Sequence, residues 1–212
     1  MEKILSNYKS LLNNLESLSS ESIKNYDLDK TGLFIVDMNN GFAKEGALYS
    51  DRIKSLINPI HEFVKPLENK LNKIIAFTDT HEEDSVELLS YPAHCLADSD
   101  ECKVVDELLD IKNLEIIQKN STNGFFAIDI NTLNDIDNVV VVGDCTDICI
   151  YQFVVTLKAY FNEKNINKNI VVPMNLVDTY DIPFVHPGDL LNVVFLNSMV
   201  QNGVKLIKKF SL

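Results

Sequence analysis

The sequence is poor in glycine and proline, with seven and six residues among 212. They are nowhere gathered into a linker, and no internal repeat or low-complexity tract divides the chain. Basic residues are also scarce: 19 Lys and Arg stand against 31 Asp and Glu, a formal net charge of −12. Phosphate binding needs a basic face that releases counterions, so this balance argues against nucleic acid as a partner. Long apolar runs are missing. Nothing approaches the roughly 18 to 20 residues of a membrane span, and the Ile4-Leu5 pair is too short for the apolar core of a secretory signal. The sequence therefore predicts a cytoplasmic protein with no membrane partner. Cysteine is limited to positions 95, 102, 145 and 149. A cytosolic chain of this size keeps such residues as thiols. Cys145 and Cys149 have three residues between them, one more than a Cys-x-x-Cys redox pair.

What is present is the composition of a globular protein, 46% hydrophobic and 24% charged, with enough apolar material for one sizeable core. Ile4, Leu5, Tyr8, Leu11, Leu12, Leu15 and Leu18 recur at i, i+3, i+4, i+7 spacing and predict an amphipathic helix over 3–18. We read residues 1–30 as an N-terminal helical extension and 31–212 as the main domain. The apolar stripe of that helix needs cover, either from the domain or from another subunit, and an exposed stripe would be a liability on a monomer. This motivates the expectation of a homo-oligomer.

Beyond residue 30, short apolar runs alternate with longer helical patterns, as in βα units. Strands are expected at Leu33–Met38, Lys73–Thr78, Leu114–Gln118, Val139–Gly143 and Ile170–Val172, with a sixth at Val204–Phe210. Helices are expected near Asp51–Asn69, Glu101–Leu109, Asp147–Asn162 and Asp189–Gln201. The run Val139-Val140-Val141-Val142 reads as a strand buried on both faces. The fold class is therefore α/β: a three-layer αβα arrangement around a central, mainly parallel sheet of about six strands.

Ligands of open parallel sheets bind beyond the carboxyl ends of the strands. The first strand ends at Asp37, the second at Asp79 with His81 beyond, the third at Lys119, and the fourth runs through Gly143 to Cys149. Taken singly, each has an ordinary reading: the Asp as a turn former, the Lys as a solvated charge, the Cys as a small hydrophobe. Their joint placement on one edge points to chemistry. Thr146 and Asp147 read as the cap and first turn of the following helix. That would put the Cys149 sulfur at a helix N-terminus, where unpaired N–H groups favour the thiolate and can hold an oxyanion.

A second group, Asp79, His81, Glu87 and His94, lies within one loop. Two imidazoles and two carboxylates suit Zn²⁺, Mn²⁺ or Fe²⁺, although Glu82, Glu83 and Asp84 also fit a solvated acidic loop.

With these residues in view, the sequence over roughly residues 31–207 resembles the isochorismatase-like cysteine hydrolases, whose members include nicotinamidases. The segments LFIVDMNNGF, FTDTH with YPAHC, KNSTNGF and VVGDCTDICI carry the likeness, in that order. The resemblance implies a catalytic triad of Asp37, Lys119 and Cys149. It implies an oxyanion hole from the backbone N–H groups of Cys145 and Cys149, and a non-proline cis peptide between Asp144 and Cys145. It also implies a divalent metal, foremost zinc, on Asp79, His81 and His94, with Glu87, seven residues before His94, in the place of a further ligand. Asn39 and Gly41 depart from the family's Gln and second Asp, and Tyr91 stands where many nicotinamidases have Trp; Phe42 is retained. Phe42 and Tyr91 would then form the substrate pocket, their apolar faces against a flat ring.

What the resemblance implies about activity is metal-dependent hydrolysis of a small amide, foremost nicotinamide to nicotinate and ammonia through a thioester. The alternatives are isochorismate hydrolysis or another amide or carbamoyl hydrolase of the superfamily. Outside enzymology, a thiol redox sensor with Cys145 as resolving partner and an idle scaffold are also open.

Overall fold

The computed structural model describes residues 1–212. The chain runs α1 (Glu2–Glu16), β1 (Glu21–Ser22), β2 (Thr31–Val36), α2 (Asn40–Ala43), α3 (Asp51–Lys54), α4 (Ile57–Val64), β3 (Lys73–Asp79) and β4 (Leu114–Lys119). It continues through β5 (Asn138–Gly143), α5 (Tyr151–Glu163), β6 (Asn169–Pro173), α6 (Gly188–Gln201), β7 (Lys205–Ile207) and β8 (Phe210–Ser211). Six strands form one sheet in the order β4-β3-β2-β5-β6-β7, and every pairing is parallel. This is the expected three-layer arrangement. No helix is long and apolar enough to cross a membrane.

Alternation along the strands distributes the sheet's side chains between two cores. Leu33, Ile35, Ala76, Val140 and Val142 pack against Ile53, Ile57, Ile60, Phe63 and Val64 from α3 and α4. Phe34, Val36, Ile75, Phe77, Val139 and Val141 pack against Phe153, Val154, Leu157, Val193 and Leu196 from α5 and α6. Each fully buried Val, Leu or Phe contributes roughly 1.5–3 kcal/mol, so residues 139–142 of β5, which alternate between the two cores, anchor both layers.

The N-terminal helix lies on α6, with Leu15 buried in the second core and Tyr8, Leu11, Leu12 and Leu18 packed against it. Asn197 Nδ2 donates to Leu11 O at 3.1 Å. The stripe that motivated an oligomer is thus largely covered within the chain, while Ile4 and Leu5 remain exposed. The expected sixth strand divides in two. β7 joins the main sheet, and β8 instead pairs in parallel with β1.

Two expected helices are corrected. The segment Asp51–Asn69 is α3, α4 and a 3₁₀ turn at Lys65–Leu67; Pro59 has no N–H to give Ser55 O, so one continuous ladder cannot form. Glu101–Leu109 holds only a 3₁₀ turn at Asp106–Leu108. Its carbonyls and N–H groups serve the loop after β2: Gly41 N donates to Glu101 O, Asn40 N to Lys103 O, and Val105 N to Met38 O. Backbone spent on that bridge is unavailable for a helix.

Candidate active site

The chain leaves β2 outward to β3 and β4, then returns to β5 on the other side of β2. The carboxyl ends of β2 and β5 therefore form a topological switch point, where such sheets open a crevice. A small cavity sits there, lined by Asp37, Phe42, Asp79, Glu87, Tyr91, His94, Cys145, Cys149 and five other side chains besides Asp144. All the residues singled out in the sequence meet in or against it, except that His81 and Lys119 stand behind the lining.

Asp37 follows β2 in the left-handed region, φ +53°, with its N–H bonded to Phe77 O. A non-glycine residue there is strained by about 1–3 kcal/mol and is kept so only by its surroundings. Lys119, at the end of β4, places Nζ 2.9 Å from Asp37 Oδ2 and also bonds Asp79 Oδ1. All three side chains are almost wholly buried. Burial pushes the Asp37 carboxyl up to about 7, with Lys119 opposing and Asp79 adding to the rise. Burial also works against ionisation of Asp79, yet Lys119, His81 and His94 together hold its carboxyl well below the usual range. Lys119 itself is held well above the ordinary amine value, because the charges of Asp37, Cys149 and Asp79 outweigh its desolvation.

The segment that carries Cys149 departs from expectation. Gly143 closes β5 at φ +112°, where an added Cβ would lie 2.1 Å from Val36 O. The Asp144–Cys145 peptide is cis, as the resemblance implies. Cys149 then sits in a π turn, Thr146–Ile150, closed by Ile150 N donating to Cys145 O; the α-helix begins only at Tyr151. Cys145, not Thr146, holds the cap position, and it makes no side-chain cap bond. The Asp147 carboxylate turns away to Thr179 Oγ1 and to His186 Nε2, 2.8 Å distant. The Cys145 N–H donates to no protein acceptor. The expected thiolate is also corrected. Burial pushes the Cys149 thiol well up, Lys119 opposes this, and Asp37 and Asp79 reinforce it. Cys149 thus sits as a buried thiol in the same cavity as the Asp37 carboxyl rather than as a free thiolate.

The four candidate ligands Asp79, His81, Glu87 and His94 offer atoms that all lie within 4.8 Å of one another. Asp79 Oδ2 is 3.5 Å from Nε2 of both histidines. His81 Nδ1 meets Asn120 Oδ1 at 2.9 Å, and His94 Nδ1 meets Pro92 O at 2.8 Å. Those contacts fix each ring with Nε2 toward the group, the outer-sphere arrangement typical of metal-bound imidazoles. His81 Nε2 and Glu87 Oε1 are buried with no hydrogen-bond partner. Glu87 is steadied through Oε2, which accepts from Thr122 N at 3.0 Å. Orphaned buried atoms aimed at one point fit a divalent cation.

Phe42 is buried and Tyr91 is half-buried, and both pack on the His94 ring, with centroids 5.7 and 6.1 Å away. Asn39, read only as a departure, is buried and donates to Asp79 O at 3.1 Å. Sequence reasoning missed Asn120, Asp144 and Tyr180. Asn120 follows Lys119 directly, so reading one residue further past that strand end would have raised it, and Tyr180 lies in the segment after β6, a strand end that was not read for chemistry. Tyr180 lines the cavity with its ring stacked on His186 at 3.7 Å.

Comparison with known proteins agrees with this geometry. The isochorismatase domain family matches residues 31–178. A curated relative, nicotinamidase 1 of Arabidopsis thaliana, is 26% identical over 85% of this chain and 86% of its own. Among solved structures, yeast nicotinamidase superposes with a TM-score of 0.71 at 16% identity, over 84% of this chain and all of its own. N-carbamoylsarcosine amidase from Thermoplasma acidophilum gives 0.68 at 20%, over 84% and 95%. The pyrazinamidase of Pyrococcus horikoshii, solved in complex with zinc, gives 0.67 at 20%, over 84% and 98%. At those identities the structural likeness is one of fold, while the domain match covers more than half of the chain: this protein belongs to the isochorismatase family of hydrolases.

Proposed function

We propose that this hydrolase is a metal-dependent cysteine amidase acting on a small planar carboxamide, with nicotinamide as the foremost substrate and nicotinate and ammonia as products. The observation that carries the reading is that one cavity is lined by Cys149, Asp37 and three members of the candidate metal group, Asp79, Glu87 and His94, with the fourth, His81, grouped with them just behind the lining. A divalent cation on that group, zinc first and Mn²⁺ or Fe²⁺ otherwise, would supply a Lewis-acidic anchor for a heteroatom of the substrate.

The chain's own residues divide the remaining work. Asp37, ionised, takes the Cys149 proton as the sulfur attacks the amide carbon, and Lys119 stabilises the carboxylate while it is charged. The tetrahedral oxyanion faces the backbone N–H groups of Cys145 and Cys149. Collapse breaks the C–N bond, Asp37 returns the proton to the departing nitrogen, and ammonia leaves a Cys149 thioester. Asp37 then deprotonates a water that attacks the thioester, releasing the acid and restoring the thiol. Phe42 and Tyr91 would hold the ring.

The cavity's charge favours this reading over isochorismate hydrolysis. No lysine or arginine lines it, Lys119 is committed to Asp37 and Asp79, and Arg52 is tied to Asp178 and Asp189 outside it. A dicarboxylate substrate would meet the Asp37 and Asp144 carboxyls and no basic side chain to pair with, whereas a neutral amide meets no such repulsion. Ammonia release from nicotinamide, pyrazinamide and unrelated small amides, with and without added metal, tests the proposal. Turnover of heteroaromatic amides supports it, and hydrolysis of isochorismate in preference to every amide would refute it.

A further inference from the structure

Asp144 is a buried carboxyl that the reaction above leaves without a task. It follows Gly143 at the end of β5, is 1% exposed, and lines the same cavity as Asp37, Cys145 and Cys149. Its Oδ2 receives a long contact of 3.5 Å from the Cys145 thiol, and its Oδ1 is buried with no hydrogen-bond partner. Asp37 Oδ1 is also unpartnered. Two carboxyls, each with an oxygen that lacks a donor, therefore line one cavity that no lysine or arginine lines. A buried acceptor without a donor calls for an explanation, and a ligand that brings N–H groups into the cavity supplies one.

We propose that Asp144 is a specificity-determining residue. Its free Oδ1 receives one N–H of a primary carboxamide while Asp37 stands for the other, so the site takes primary amides in preference to acyl derivatives that offer no N–H. The inference rests on the amidase reading and deepens it by naming the group recognised. Burial and the charge of Asp37 hold the Asp144 carboxyl well above the usual carboxylate range. A neutral acid there still presents a carbonyl oxygen to an N–H, without adding a second negative charge beside the base. A site built around a hydrogen bond discriminates against the analogue lacking it, because its own buried group is then left unpaired.

The test compares amide and methyl ester pairs that share an acyl group: nicotinamide with methyl nicotinate, pyrazinamide with methyl pyrazinoate, benzamide with methyl benzoate. The kcat/KM ratio of amide to ester is measured for the wild type, Asp144→Leu and Asp144→Asn. Leu keeps the branched shape without the acceptor, and its ratio should fall at least ~10-fold for every acyl group hydrolysed. Asn keeps a carbonyl acceptor and should stay within about 3-fold of wild type. An unchanged ratio in the Leu variant would overturn the proposal. So would parallel loss of amide and ester turnover in both variants, the signature of a merely structural role. Which acyl group turns over fastest bears on the nicotinamide reading alone, so the two can fail separately.

Discussion

Lys119 Nζ lies 2.9 Å from Asp37 Oδ2, with both side chains about 1% exposed. The pair ties the end of β4 to the end of β2, and Lys119 opposes the rise that burial imposes on the proposed base. Because burial holds Asp37 up to about 7, it is protonated, and unable to take the thiol proton, below that pH. The kcat/KM of the amidase should therefore climb with pH through about 7. Lys119→Met removes the charge that opposes the rise, so its acidic limb should shift upward, with kcat reduced at least ~10²-fold. A wild-type profile that is flat from about pH 5.5 to about 8.5 would contradict the role given to Asp37.

Metal content follows from the orphaned atoms of His81 and Glu87. Protein purified without chelator should carry close to one divalent cation per chain by elemental analysis, and His94→Ala should lose most of it, since removal of an inner ligand costs at least ~10²-fold in affinity. Full amide turnover by metal-free protein would sink metal dependence.

Gly143 has no room for a side chain: an added Cβ would lie 2.1 Å from Val36 O, and the φ of +112° is open only to glycine. Gly143→Ala should lower unfolding stability by at least ~2 kcal/mol and disorder the turn that carries Cys149. A denaturant midpoint equal to that of wild type would show that the turn adapts.

Leu15 is the one residue of α1 that is fully buried, in the core shared with α5 and α6. Leu15→Ala should destabilise the chain by about 2–4 kcal/mol and leave kcat/KM for the amide unchanged, since α1 contributes nothing to the cavity lining. Urea titration and steady-state kinetics on the same preparation check both halves.

The sheet was legible because β2, β3 and β5 carry the apolar runs 33–36, 74–77 and 139–142 with polar residues at their ends, and Asp37 and Asp79 could be read from that boundary, Lys119 from the end of β4. The helices were less so. Glu101–Leu109 has helical composition, but its backbone is claimed by residues 38–41, a long-range bond that no local pattern records. The π turn at Cys149 depends likewise on Cys145 O reaching Ile150 N. The sign of the thiol's shift was misread because a helix terminus is visible in sequence, whereas the burial of Cys149 beside Asp37 and Asp79 is created only by folding. Asp144 entered the sequence reading only through its peptide bond to Cys145, because its free oxygen becomes informative only once the cavity around it is known.

The most direct test of the central claim is ammonia release from nicotinamide by the wild type and by Cys149→Ala, with intact-mass detection of the acyl-enzyme after rapid acid quench. The account predicts turnover and a nicotinoyl adduct on Cys149 in the wild type, with turnover reduced at least ~10³-fold and the adduct absent in the variant, whose fold and metal content are retained. Near-normal ammonia release by a folded, metal-loaded Cys149→Ala would contradict it.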